Sequence, residues 1–182
     1  MPLRSLKAPL SRALLACTAS LCALGCSARY PGVLPPRPLW LEVELQQFNP
    51  QERGVIYGRG QAAHKLRIDQ RRAIAEAAAV ASLRELLIKR VTSLMETGDQ
   101  GRKPTPSASE RQEVQALLKA YPWSQAAQVE GRFFDAAMNT QFAIASLSLQ
   151  AFEKTLSFGP SDPTTKAATT EYVRAAFKSL RP

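Results

Sequence analysis

The sequence predicts an α+β fold, in which a small antiparallel sheet packs on one long alanine-rich helix and shorter helices complete the domain. Apolar and polar residues alternate over 39–48, with the period of two that is typical of a half-buried strand. Residues 69–95 contain no glycine or proline and are rich in alanine, the best helix former. Two β-type runs, AQVEGRFFDA and TQFAIASLSLQAF, are joined by AMN, which predicts a hairpin.

Residues 1–25 predict a secretory signal peptide. Arg4, Lys7 and Arg12 form a basic start without an acidic residue, and a mostly apolar run from Ala13 to Leu24 follows. Small Gly25 ends the run, and this order of basic, apolar and small residues is typical of exported chains. The run is shorter than the roughly 20 apolar residues of a membrane span. A buried N-terminal helix is the alternative interpretation.

The cysteines all lie in this region, as Cys17, Cys22 and Cys26. Cleavage between Gly25 and Cys26 would remove the first two and leave the mature chain with a single cysteine at its amino end. An intrachain disulfide needs two cysteines, so none could then form. A lone thiol on an exported protein is open to oxidation, and lipidation would remove that liability.

The segment ALGC, residues 23–26, resembles the lipobox of bacterial lipoproteins, with Ala23 and Leu24 in roughly swapped order. The resemblance implies a diacylglyceryl group on the sulfur of Cys26, cleavage just before it, and acylation of the new amino end. Two or more such chains hold a protein stably on a bilayer, at about 0.8 kcal/mol per buried methylene. Ordinary cleavage near ALG or SAR, which would leave a soluble periplasmic protein, is the alternative.

The expected location is therefore the cell envelope, with the protein bound to membrane lipid through acylated Cys26. Ser27 follows that cysteine, and a residue other than Asp there implies, by the same resemblance, the outer membrane, facing the periplasm. Residues 26–38 form the expected tether, because four prolines between 27 and 38 favour extended polyproline II at about 3.1 Å per residue. An arm packed against the domain is the other interpretation of this segment.

Residues 39–182 are expected to form a single α+β domain. Over 39–48, Leu39, Leu41, Val43 and Leu45 share one face of the expected first strand, and Trp40 falls on the polar face. A turn follows at 49–54, and VIYGRGQAA, residues 55–63, predicts a second strand.

The long helix is expected over 69–95, with Asp69 as its N-cap and Gly98 as its stop. Spacings of three and four predict a core-facing stripe, which consists of Ala73, Ala77, Val80, Leu83, Leu87, Val91 and Leu94. A loop at 96–109 precedes a shorter helix from Ser109 to about Tyr121, where Gln112 would complete a capping box. A loop at 157–165 leads to a last helix with Ala168, Tyr172, Ala175, Ala176 and Leu180 on its apolar side.

Gly58 and Gly60 lie in GRGQAA, between a strand and a helix, which is a weak match to a dinucleotide-binding turn. Such a turn needs the helix to begin at the motif so that its free N–H groups meet the pyrophosphate, whereas HKLRI separates them here. The sequence therefore favours a bulge or a close backbone approach at these glycines. No cofactor is expected.

No catalytic or metal-binding residue is expected either. His64 is the only histidine, so a site of several histidines is excluded, and a hydrolase triad would have to use this residue. A solvated loop histidine is the favoured interpretation, and a hydrolase using His64 is the less favoured alternative. Glu76 and Glu85 are expected to pair with Arg72 and Lys89, each four residues away.

The chain carries 24 basic and 15 acidic side chains, and without Arg4, Lys7 and Arg12 the balance is 21 against 15, a net charge of +6. This balance suits anionic surfaces such as lipid headgroups. The sequence contains no RNA-type aromatic motif and no basic helix with base-reading spacing, so nucleic acid is not an expected partner.

Pro38-Leu39-Trp40, the strand end Tyr57-Gly58-Arg59-Gly60 and the helix DQRRAIAEAAAVASLRELL together resemble the Lpp-twenty family of small envelope lipoproteins. They also resemble the related N-terminal domain of the flagellar-assembly protein T. The resemblance covers about 38–95, and residues 96–121 depart from the pattern. It implies an α+β fold, export with a lipid anchor, and a non-catalytic binding or structural role with an envelope protein as partner, in an envelope or motility assembly.

Overall fold

A computed structural model describes residues 36–45, 48, 54–63, 66–97 and 106–180. Several sequence-based predictions lie outside these described residues, namely the signal peptide, the cleavage site at Gly25 and Cys26, most of the tether, and the loop histidine His64. Pro36–Pro182 belong to one compact unit.

Six helices and three strands occur in the described ranges. In chain order they are α1 (Leu39–Glu42), β1 (Val55–Ala62), α2 (Ile68–Thr97), α3 (Ala108–Ala120), α4 (Trp123–Ala126), β2 (Gln128–Asp135), β3 (Thr140–Ser148), α5 (Leu149–Phe158) and α6 (Pro163–Ser179). The predicted α+β class is confirmed, since a three-stranded antiparallel sheet packs on the 30-residue helix α2.

The sheet has the order β1-β3-β2, so β3 is central and the other two strands form its edges. β2 and β3 form the predicted hairpin, with Asp135 opposite Thr140. Asn139 in the turn has a φ of 47°, a conformation that asparagine tolerates better than most residues. On the other side of β3, Gly58 of β1 stands opposite Ala145.

Helix α2 begins at Ile68, one residue before the predicted N-cap Asp69, and ends at Thr97. Its buried residues recur at every fourth position, as Ala75, Ala79, Leu83, Leu87, Val91 and Met95. The predicted stripe is thus confirmed at Leu83, Leu87 and Val91 and wrong at Ala73 and Ala77, which are exposed. Alanine appears all around the first half of the helix, so spacing alone could not select the buried face there.

The predicted strand over 39–48 is wrong, because residues 39–42 form the helical turn α1. The predicted burial is reversed at the first two residues, since Trp40 is buried at 7% exposure and Leu39 is 58% exposed. The remaining apolar residues, Leu41, Val43 and Leu45, are partly buried, and the glutamates between them are exposed. The Arg59 guanidinium donates to the carbonyl oxygens of Trp40 and Leu41 at 3.3 and 3.1 Å. These carbonyls therefore have partners without a strand ladder, and the turn covers the outer face of the sheet.

The main core joins α2 to α3, α5 and α6 and includes Ile56 and Leu147 of the sheet. Its fully buried members include Leu83, Leu87, Met95, Leu118, Phe152 and Val173. A smaller cluster on the outer face of the sheet joins Trp40 to Tyr57, Phe142 and Ile144. Residues 36–38 pack against the rest of the compact unit, since Arg37 pairs with Asp135. This contact favours the packed-arm interpretation for these three residues.

Three element boundaries differ from the predictions because side-chain caps decide them. Helix α3 is capped by Ser107, whose Oγ accepts from the Glu110 N–H at 3.1 Å, and not by Ser109. The predicted last strand ends at Ser148, whose Oγ accepts from the Ala151 N–H at 3.0 Å and starts the unpredicted helix α5. Asp162 caps α6 directly before Pro163, a favoured first helical residue.

The buried face of α6 is offset by one residue from the prediction. Thr169, Val173, Ala176 and Phe177 are buried, whereas Ala168 and Tyr172 are only partly covered. The Thr169 hydroxyl donates to the Thr165 carbonyl at 2.7 Å, so a threonine can occupy a core position without an unsatisfied polar atom.

Candidate binding groove beside the long helix

Two glycines of β1 set the distance between the sheet and α2. A Cβ atom on Gly58 would lie under 3.0 Å from the Ala79 carbonyl oxygen and the Leu83 nitrogen, and one on Gly60 would meet the Ala75 oxygen and the Ala79 nitrogen. Strand and helix backbones are therefore in direct contact. The predicted close backbone approach is confirmed, and it explains the glycine pattern without a nucleotide.

This close contact places α2 over β1 and β3 and leaves β2 connected to the helix by long side chains. Arg132 of β2 reaches Glu76 with 2.5 Å between Nε and Oε1. Nearer the hairpin turn, the guanidinium of Arg71 lies 5.1 Å from the ring centroid of Phe134. The glycines thus position the helix off centre, and a gap remains beside the edge strand.

The gap is an open groove of about 600 Å³. The residues of α2 that line it are Ala73, Glu76, Ala77, Val80, Ala81 and Arg84. Tyr121, Pro122, Trp123, Ser124, Ala127 and Val129 form the opposite wall. Small side chains on the helix make the groove, because a larger residue at Ala77 or Ala81 would fill it.

The aromatic wall is held in one arrangement by hydrogen bonds to backbone carbonyls. The Trp123 indole N–H donates to the Leu118 carbonyl at 3.0 Å, and the Tyr121 hydroxyl donates to the Phe152 carbonyl at 3.1 Å. The Tyr121 and Trp123 rings meet edge to face at 4.9 Å between centroids. Burial raises the pKa of Tyr121 to about 12, so this phenol stays protonated at neutral pH and serves as a fixed wall.

Charges occur at two places along the groove. Glu76 and Arg132 neutralise each other, and this hydrogen-bonded pairing raises the pKa of the Arg132 guanidinium. The predicted pairing of Glu76 with Arg72 is therefore wrong, because the Glu76 side chain extends from α2 to Arg132 on β2 instead. Arg84 donates to the Lys119 carbonyl at 3.4 Å, and no carboxylate among the described residues forms an ion pair with it.

The groove itself was not predicted from the sequence. Exposed alanines at spacings of four on α2, namely Ala73, Ala77 and Ala81, are the signal that could have indicated it. The helical spacing instead places Ala73 and Ala77 in the predicted core stripe. The opposite wall of the groove comes from residues 121–129, about 45 positions later in the chain. Their proximity depends on tertiary packing.

The sequence-based site residues Gly25, Cys26 and His64 lie outside the described residues. Within the described ranges, histidine, cysteine, aspartate and glutamate do not form a group of three or more that could bind a metal ion. We also find, over the same ranges, no helix whose length and hydropathy would allow it to span a bilayer.

Comparison with protein-family models finds no match for this chain, and a search of curated proteins also finds none.

Proposed function

We propose that this protein is a lipid-anchored lipoprotein of the bacterial cell envelope with a non-catalytic binding role. The observation that carries the anchor is the Gly25-Cys26 junction, which follows a basic start and a short apolar run. In support, the compact unit begins at Pro36, ten residues after Cys26. An acylated Cys26 would therefore hold the domain close to a membrane.

The groove beside α2 supports the binding role. Its apolar lining and fixed aromatic wall suit an apolar peptide segment, and the guanidinium of Arg84 suits a carboxylate on that segment. We therefore propose that the occupant is an apolar segment of an envelope protein that places an acidic side chain against Arg84. Among the described residues Arg84 has no carboxylate partner, and a guanidinium of this kind favours such a ligand through charge complementarity.

The anchor is tested by Cys26→Ser. We expect the fraction of the protein found in membranes to fall by about tenfold or more, because stable anchoring needs the acyl chains that this sulfur would carry. The measurement is detergent partitioning together with intact mass, since the lipidated chain enters the detergent phase and gains the mass of its acyl groups. Cys17→Ser is the matched control and should change neither result, because cleavage before Cys26 removes Cys17.

A Cys26→Ser protein that is exported, cut at the same bond and bound to membranes as before would contradict the anchor. A wild-type mass without acyl groups after cleavage near ALG or SAR would favour the soluble periplasmic alternative.

The groove is tested by Ala77→Phe. The phenylalanine would occupy space that the partner segment needs, and Ala77 is exposed, so the core should be undisturbed. A photoreactive residue is placed at Gln125, which is exposed on α4 next to the groove residue Ser124 and does not itself line the groove. We expect the yield of its crosslink in intact cells to fall by about tenfold, which corresponds to about 1.4 kcal/mol of binding. Identification of the crosslinked protein by mass spectrometry completes the measurement.

Ala116→Phe is the matched control, because Ala116 is an exposed helix alanine on α3 that does not line the groove. It should leave the crosslink intact. Arg84→Gln should weaken the same crosslink if the partner contributes a carboxylate. Equal crosslinking in the Ala77→Phe and Ala116→Phe proteins would show that the partner binds elsewhere.

A further inference from the structure

Exposed apolar side chains collect at the end of the sheet where the hairpin turns. Seven large apolar side chains are exposed among the described residues, and four of them lie at this end. They are Leu66 at 40%, Ile68 at 49%, Phe134 at 37% and Met138 at 51% exposure. We call these four residues, with the arginines Arg37, Arg67, Arg71 and Arg72, the hairpin-end surface.

Direct contacts connect the parts of this surface. Arg71, in the first turn of α2, donates to the Asn139 side chain in the hairpin turn at 2.9 Å and lies over the Phe134 ring. Arg37 contacts the Met138 sulfur at 3.5 Å. β1 ends at Ala62, opposite Gln141 of β3, so the chain that leads from β1 to Ile68 starts at the same end of the sheet.

The surface has a positive charge. Its four arginines face two carboxylates, Asp69 and Asp135, so the net charge is +2. Asp135 is buried, and its pKa lies below the ordinary value because it accepts from the Met138 N–H and pairs with Arg37. The Nε atom of Arg67 lies 3.7 Å from Oδ1 of Asp69, and the Arg67 side chain is 82% exposed.

Apolar side chains surrounded by arginines are the composition that binds at an anionic lipid interface. The apolar groups enter the boundary between headgroups and acyl chains, and the guanidinium groups remain among the phosphates. Each basic residue close to such a surface strengthens binding by about fivefold.

The position of Pro36 and Arg37 indicates which membrane the hairpin-end surface would face. Pro36 directly precedes Arg37, which is held on the hairpin by Asp135 and Met138. Nine residues lie between Cys26 and Pro36, so the ten Cα–Cα steps that join the two span at most roughly 35 Å. The described part of the chain begins at the hairpin-end surface, and a bilayer that holds Cys26 would lie within that distance of Pro36.

We propose that the hairpin-end surface rests on the anionic lipid surface of the membrane that holds Cys26, an inference that depends on the proposed lipid anchor. The domain then has a defined orientation. Phe158, 81% exposed at the end of α5, lies away from this surface, because α5 starts where β3 leaves the opposite end of the sheet and packs against α6.

The test uses the mature lipoprotein, purified in detergent and reconstituted into vesicles of phosphatidylethanolamine and phosphatidylglycerol. Met138→Cys and, as the matched control, Phe158→Cys each receive an environment-sensitive fluorophore. Acylation of Cys26 and loss of the signal peptide leave the introduced cysteine as the single labelling site. We expect a lipid-borne quencher to act on the label at 138 at least about fivefold more than on the label at 158, and aqueous iodide to show the reverse.

Charge reversal provides the second measurement. The double variant Arg67→Glu/Arg72→Glu should expose the label at 138 to iodide. The control variant Lys154→Glu/Lys178→Glu makes the same charge change at other exposed positions and should leave the label protected. Equal quenching of the two labels, or equal protection at 138 in phosphatidylcholine vesicles, would overturn the proposal. A wild-type protein that does not float with the vesicles would overturn the anchor itself, and this inference with it.

Discussion

Gly60→Ala should lower the free energy of unfolding by about 3 kcal/mol or more, which is a large part of the stability of a domain of this size. The added Cβ would lie under 3.0 Å from backbone atoms of Ala75 and Ala79. Backbone atoms in the middle of a helix cannot rotate away as a side chain can. The strand and α2 would have to separate, and the apolar contacts between them would weaken.

The measurement is urea unfolding followed by circular dichroism, with Gly159→Ala as the control. At Gly159 the nearest atom to an added Cβ is the Leu156 oxygen at 3.5 Å, an ordinary contact, so that variant should stay within about 0.5 kcal/mol of the wild type. Gly58→Ala should behave like Gly60→Ala. A Gly60→Ala protein as stable as the control would mean that strand and helix are not in backbone contact.

Phe152→Ala should cost about 3–5 kcal/mol of unfolding free energy, the usual range for removal of a fully buried aromatic ring. Phe152 has 0% exposure and joins α5 to the aromatic wall of the groove. Its ring stacks on Tyr121 at 4.5 Å between centroids and lies 6.3 Å from Trp123. Removal would leave a cavity between α5 and the residues that hold the groove open.

Phe158→Ala is the matched control, because it removes the same side chain from the same helix at a position that is 81% exposed. Thermal and urea unfolding of the two variants should differ by several kcal/mol, with Phe158→Ala within about 0.5 kcal/mol of the wild type. Similar losses at both positions would contradict the arrangement of α5. Because Phe152 supports Tyr121 and Trp123, its removal should also reduce crosslinking from the photoreactive residue at Gln125.

The two variants differ in what could be expected from the sequence. The pattern of Gly58 and Gly60 between a strand and a helix predicted a close backbone approach, because only glycine permits one. Phe152, in contrast, was included in a continuous β-type run. The run ends at Ser148, because its side chain caps a helix and the following residues turn into the core.

Local patterns determined the elements that depend on neighbours in the chain. The strand at 55–62, the long helix and the hairpin follow from residue preferences and short-range spacing, and so does the α+β class. The segment at 39–48 shows the limit of such patterns. Its alternation fits a strand, yet Trp40 packs on the outer face of the sheet over Gly131, and Arg59 binds the carbonyls of the turn.

The sequence by itself determined the kinds of elements and the signal that predicts export and acylation at Cys26. Only the tertiary structure decided which alanines of α2 are buried, that Glu76 pairs with Arg132, and that a groove remains beside β2. On an alanine-rich helix, the spacing of apolar residues allows any of several faces to be the buried one. The glycines of β1 select one face, because they allow the helix backbone to contact the strand there. The hairpin-end surface has the same origin, because its members come from three separate stretches of the chain that meet only in the fold.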